Sequence, residues 1–309
     1  MYRTLIVIVL SILFTVKGTG QNKEDKAAIK EHGGRYSINI KNMTLEIDPS
    51  IGGRITSFSI DGKDFLTGTT VNSFNWGSTF WTSPQSDWKW PPPAALDNKP
   101  YAAKIENNEL VMTSQRDEKT GIVVTKRLSG NRRSGSYTLQ YTITNQSDTP
   151  RKVAPWEITR VHPNGISFFP MGKGQRSGGL APLTNETNGI CWFAYDAMKL
   201  PLQGDRKLLS DGAEGWLAQL NDRAILIKKF TDIPFEKSAP KEGEIELFAS
   251  PVIAGKSYVE MENQGAYEEL PPGASSTWTV AWYLRRLPAD MKAEAGNNLL
   301  VDYVRKLIR

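Results

Sequence analysis

Ser136-Tyr137-Thr138-Leu139-Gln140-Tyr141-Thr142-Ile143-Thr144 decides the fold class. Tyr137, Leu139, Tyr141 and Ile143 fall on one side, and serine, threonine and glutamine fall on the other. That two-residue period is a strand with one buried face, because successive side chains leave an extended backbone on opposite sides. Thr277 to Leu284 repeats it with Trp278, Val280, Trp282 and Leu284. Working outward, similar runs occur at Met43–Ile47, Ile55–Ile60, Leu110–Ser114, Ile122–Leu128, Glu214–Leu220, Ala224–Phe230 and Glu244–Ser250. Asp61-Gly62-Lys63, Glu106-Asn107-Asn108, Ser134-Gly135 and Asn145-Gln146-Ser147 separate them, as turn residues do. A helical pattern stands only at the end, from Ala289 to Arg309, with Met291, Leu299, Leu300, Val304 and Leu307 among charges. Many evenly spaced strands and one terminal helix predict an all-β chain, an antiparallel sandwich or barrel. A propeller is the alternative, but no blade-like repeat recurs.

The first residues carry a different signal. Arg3 precedes an apolar run of twelve residues, Leu5 to Val16, and Lys17-Gly18-Thr19-Gly20 follows. Charge, apolar run and small residues in that order predict a secretory signal over residues 1–20 and a periplasmic or secreted protein. A membrane-spanning helix needs roughly twenty apolar residues, so no membrane anchor is expected after cleavage. Residues 21–35 are polar and read as a flexible lead-in, 36–286 as the β domain, and 287–309 as the C-terminal helix. The net charge of +5 falls to +3 once Arg3 and Lys17 are removed, and no dense basic block remains. Nucleic acid is therefore not an expected partner. The single cysteine, Cys191, lies in an apolar run and reads as a small buried side chain. The two histidines, His32 and His162, are too few and too far apart for a zinc site. No EF-hand-like loop suggests calcium, so no metal and no cofactor are expected. Oligomeric state is not encoded in any motif.

Three segments carry candidate chemistry. Phe74 to Pro93 holds four of the nine tryptophans among Gln, Ser, Asp and Lys, and its prolines predict a loop. Flat indoles beside hydrogen-bonding groups suit a sugar ring, with Trp81, Gln85 and Trp88 as the contacts. The same indoles could instead plug the open end of the β core, and one loop can do both. In Ala154 to His162, a strand would put Trp156, Ile158 and Arg160 on one face and Glu157, Thr159 and Val161 on the other. In Tyr258 to Gly265, a strand would put Glu260, Glu262 and Gln264 on one side. Such a face is either solvated or the wall of a polar pocket, where adjacent carboxylates raise one another's pKa and poise a base.

Glu262-Asn263-Gln264-Gly265, then Leu270-Pro271-Pro272-Gly273 and Thr277–Leu284, resembles the C-terminal end of galactose mutarotases, in the aldose 1-epimerase superfamily. Ile51-Gly52-Gly53-Arg54-Ile55-Thr56-Ser57-Phe58 is similar to that superfamily's early strand pair. The Trp81–Trp90 segment and Trp156-Glu157-Ile158-Thr159-Arg160 resemble its DUF4380 branch. The resemblance covers residues 36–286. It implies a galactose mutarotase-like antiparallel β supersandwich with a short C-terminal helix and a sugar or glycan on one concave face. It places the general base on Glu262. Standard mutarotases carry histidines where this chain has Trp156–Val161 and Asn75–Gln85, and neither segment holds one. The resemblance therefore leaves Glu157 or Arg160 as partner to the base, with Trp81, Gln85, Trp88, Trp156 and Gln264 holding the sugar. The functions it implies are an isomerase acting at the anomeric centre, a non-catalytic glycan-binding module, or a structural domain with a vestigial pocket.

Overall fold

The computed structural model describes residues 25–309; the expected signal over 1–20 lies outside them. The two alternating stretches that set the fold class turn out to be neighbours. Strand Ser136–Asn145 pairs antiparallel with Ser275–Arg286 in a register that opposes Tyr137 to Trp282, Leu139 to Val280 and Tyr141 to Trp278. Their apolar faces fuse into one wall, and all six of these side chains are buried. A ten-stranded antiparallel sheet grows from this pair, running from Asn185–Thr187 at one edge to Ala102–Glu106 at the other.

The second sheet, of eleven strands, lies across that wall. It runs from Ile29–His32 through Met43–Asp48, Arg54–Ile60, Ser78–Ser83, Arg151–Val161, Val259–Gln264 and Ile245–Ala249 to Lys207–Ser210. Ile38, Leu45, Phe58, Phe80, Val161 and Met261 project from it into the space between the sheets and meet Tyr137, Tyr141, Trp278 and Trp282. Phe80 stacks on Tyr141 with ring centroids 4.2 Å apart. Each such fully buried side chain contributes about 1.5–3 kcal/mol relative to exposure. Cys191 is buried in the same core.

Three segments depart from the sequence expectations. The stretch expected as a flexible lead-in contains the strand Ile29–His32, paired with Arg35–Ile40. Gly33 and Gly34, both at positive φ (59° and 82°), make the two-residue hairpin turn that joins them, a conformation glycine adopts without steric cost. The expected loop from Phe74 to Pro93 contains the fully buried strand Ser78–Ser83. It escapes the alternation rule because residues on both of its faces are buried, and the hydroxyls of Ser78 and Thr79 find partners. Ser78 Oγ lies 2.7 Å from Thr159 Oγ1. The terminal helix occupies Asn298–Leu307, shorter than the stretch expected. Asn297 is its cap, accepting from Leu299 N–H at 3.0 Å. Leu300, Val301 and Val304 pack on Phe168, Trp192 and Trp216, on the outer face of the ten-stranded sheet.

Candidate functional site

The outer face of the eleven-stranded sheet carries an unusual set of residues. Around the strand Arg151–Val161 the register opposes Trp156 to Trp81 and Gln264, Ile158 to Glu262, and Arg160 to Glu260. One strand further, Glu246 stands opposite Glu262 and Phe248 opposite Glu260, with Lys207 beyond Phe248. Period-two alternation therefore puts all of these side chains on the concave side and leaves Glu157, Thr159, Met261 and Asn263 facing the core. A cavity of about 360 Å³ opens there, lined by Trp81, Gln85, Trp90, Trp156, Lys207 and Glu262, with Asn75, Asp205, Phe248, Tyr258 and Glu260 at its sides.

Its aromatic wall is fixed from behind. Trp81 donates its indole N–H to Asp97 Oδ1 at 2.8 Å, and Asp97 is paired with Arg54 at 3.3 Å. Gly52 lets this happen: a Cβ there would sit 2.0 Å from the Asp97 carbonyl oxygen. Arg160 lies over the Trp81 ring at 5.1 Å, donates to Thr79 Oγ1 at 2.6 Å, and pairs with Glu260 at 2.7 Å. Lys207 lies over the Trp156 ring at 4.7 Å.

The floor is a knot of carboxylates around Lys207. Its ammonium touches Glu246 and stands 3.5 Å from Glu262 and 3.9 Å from Glu242. Burial, reinforced by Glu246, pushes the Glu262 carboxyl well above the ordinary range, while Lys207 pulls against it. Burial does the same to Glu246. Lys207 is driven the other way: burial alone would lower it, but the surrounding carboxylates hold it charged, well above the ordinary lysine range. Several buried polar atoms here have no hydrogen-bond partner in the protein, among them Glu262 Oε2, Arg160 Nη2, Trp156 Nε1 and Asn75 Oδ1. Buried polar groups are normally paired, so such a set in one place marks where a polar ligand fits.

The sequence-predicted residues divide cleanly. Trp81, Gln85, Trp156 and Glu262 line the cavity, and Arg160 braces its wall. Gln264 sits beside it, donating to Glu246 Oε1 at 2.8 Å. Trp88 packs behind Trp81 and Trp156, its N–H given to Thr82 O at 2.7 Å, so it supports the wall and does not line the cavity. Glu157 is on the opposite side of the sheet. It accepts from Tyr141 Oη and from Trp282 Nε1 (2.9 Å) and pairs with Lys228 at 2.9 Å. The cavity and Glu157 are separated by the backbone, so Glu157 cannot partner Glu262. Lys207, Glu246, Glu242, Asp97 and Trp90 were not expected; Glu246, a charge inside the apolar strand Ile245–Ala249, was the one local signal. Another cavity, of about 370 Å³, opens beside His162, but its charges are exposed surface pairs such as Lys63–Asp222 at 2.7 Å. Among the described residues, no three His, Cys, Asp or Glu side chains are grouped to hold a metal ion, and no helix is long and apolar enough to cross a membrane.

Two large antiparallel sheets, the larger with a cavity on its concave face, define a galactose mutarotase-like β supersandwich. The chain belongs to the family designated a domain of unknown function, DUF4380, whose model matches residues 34–285. No curated protein matches it in sequence. Among solved structures, it is similar to a candidate aldose 1-epimerase from Klebsiella pneumoniae, at a TM-score of 0.60 and 15% identity over 90% of this chain and 86% of that one. A galactose mutarotase-like protein from Lactobacillus casei aligns at a TM-score of 0.57 and 12% identity, over 82% of this chain and 100% of that one. A TPR-domain containing protein from Parabacteroides distasonis aligns at a TM-score of 0.58 and 14% identity; the match takes in 84% of this chain but only 49% of that longer one.

Proposed function

We propose that this chain is an exported carbohydrate-active protein that binds a sugar in the concave cavity and moves protons at its anomeric centre. The observation that carries the reading is Glu262: buried, facing a cavity walled by indoles, with its carboxyl raised by burial toward the range useful to a base. Glu262 takes the proton of the anomeric hydroxyl. The bond from the anomeric carbon to the ring oxygen breaks as that oxygen gains a proton, and reclosure on the other face of the carbonyl returns both protons. Lys207, 3.5 Å from Glu262, is the donor within reach, because both sugar oxygens are bonded to one carbon. Arg160, with Nη2 unpartnered, stabilises the developing negative charge. The names of the structural neighbours, aldose 1-epimerase and galactose mutarotase, are consistent with this chemistry.

The test is anomer interconversion of common aldoses followed by exchange NMR, with and without protein, and with Glu262→Gln as the control. Acceleration that vanishes in the variant supports the enzyme; equal rates with and without protein across the sugars would sink it. One observation favours a second reading, a non-catalytic glycan-binding module: three carboxylates hold the proton of Lys207 tightly. In that case sugar binding persists in Glu262→Gln while no exchange is seen in either protein. Export is tested by fractionation, with a mature chain beginning at Gln21 expected in the periplasm or medium.

A further inference from the structure

The geometry points to a particular ligand class for this cavity: an amino sugar whose free ammonium sits between the aromatic wall and the Glu262 carboxylate. This rests on the sugar reading of the same cavity. The first observation is a charge imbalance. Glu242, Glu246, Glu260 and Glu262 converge on two cations, Lys207 and Arg160, so carboxyl groups outnumber cations four to two and a further cation finds carboxyls left to pair with.

The second is where the imbalance falls. Arg160 commits its Nε to Glu260 at 2.7 Å, and Lys207 is in closest contact with Glu246. Glu262 is 1% exposed, yet its Oε2 has no hydrogen-bond donor in the protein; Lys207 stands 3.5 Å off without forming one. A buried carboxylate oxygen without a donor is costly, and a cationic N–H group is the partner that relieves it most. The third is the wall. The faces of Trp81 and Trp156 are already taken by Arg160 and Lys207, at 5.1 and 4.7 Å. Trp90, 55% exposed, with Phe248 and Tyr258, remains to meet a ligand. Aromatic faces attract ammonium groups as well as the apolar side of a sugar ring. Uronic, phosphorylated or sulfated sugars would bring another anion to a site already crowded with carboxyls and are disfavoured.

Calorimetric titration of the wild-type protein tests this with matched series. D-glucosamine, N-acetyl-D-glucosamine, D-glucose and D-glucuronate form one series, and their galacto counterparts the other. The amine is expected to bind about tenfold tighter than its neutral parent and its N-acetyl form, with the uronate weakest. Glu262→Gln closes that gap. Should the variant not fold, the wild-type series alone decides. Neutral sugars binding as tightly as their amines, or uronates binding tighter, overturns this inference and leaves the sugar reading standing. No binding by any member overturns both.

Discussion

Two glutamate–lysine pairs lie back to back across one sheet, and they differ in every respect that matters. On the core side, Glu157 meets Lys228 at 2.9 Å, and its oxygens also take the hydroxyl of Tyr141 and the indole N–H of Trp282. Lys228 donates onward to Asn263 Oδ1 at 3.0 Å and Met261 O at 3.2 Å. One carboxylate and one ammonium, each with all its polar atoms partnered, make a closed pair. It ties the strand that carries Arg160 to the strand that carries Glu262, through their backs. On the concave side, Lys207 is shared by Glu242, Glu246 and Glu262, and Glu262 keeps an oxygen without a donor. A satisfied buried ion pair specifies structure; an unsatisfied one beside a cavity waits for a ligand.

The comparison can be broken by substitution. Glu157→Ala leaves Lys228 buried without its counter-charge and should cost about 3–5 kcal/mol of stability in urea unfolding. A loss below about 1 kcal/mol would refute the closed-pair reading. Glu262→Gln removes a costly buried carboxylate, so it should not destabilise the fold and should raise stability at alkaline pH, while reducing anomeric exchange by about a hundredfold, the lower end for removal of a general base. Trp90→Ala, which removes the exposed indole left to meet a ligand, should weaken sugar binding by about 2 kcal/mol, measured by calorimetry. Trp81→Phe, which keeps a ring under Arg160, should cost less than about 1 kcal/mol in the same measurement.

The pH profile sharpens the contrast further. Glu262 must be ionised to act, and burial raises its pKa, so exchange should climb with pH in a window above the ordinary carboxylate range. Lys207→Met removes both the proton donor and the cation that favours the ionised form, so exchange should fall and the window of what remains should move higher still; an unchanged rate and profile would remove Lys207 from the account. The stability sign is opposite. A carboxyl whose folded pKa is raised binds more protons in the native state across that window, so stability falls as pH rises through it. Glu262→Gln should flatten that part of the curve.

Much of this was legible in the sequence, because the faces of a strand are set by local alternation. Tyr137 to Ile143 and Trp278 to Leu284 faced inward as read; Trp156 shared a face with Arg160, and Glu262 with Gln264, as read, and only the strand pairing put the two faces together. Alternation also separated Glu157 from Arg160, but it could not say which side was core. Ser78–Ser83 was hidden by its small hydroxyl residues, whose burial depends on partners such as Thr159 that lie far along the chain. Lys207 and Glu246 were hidden for the same reason.

Glu262 as the candidate base came from the resemblance to galactose mutarotases; by itself, the sequence determined the β class and which side chains share a face of each alternating strand. Those are short-range consequences of backbone geometry and of the cost of exposing apolar surface. Only the tertiary structure decided that Glu157 belongs to the core and Lys207 to the cavity. That outcome depends on which strands become neighbours, and burial and charge pairing exist only once they have met.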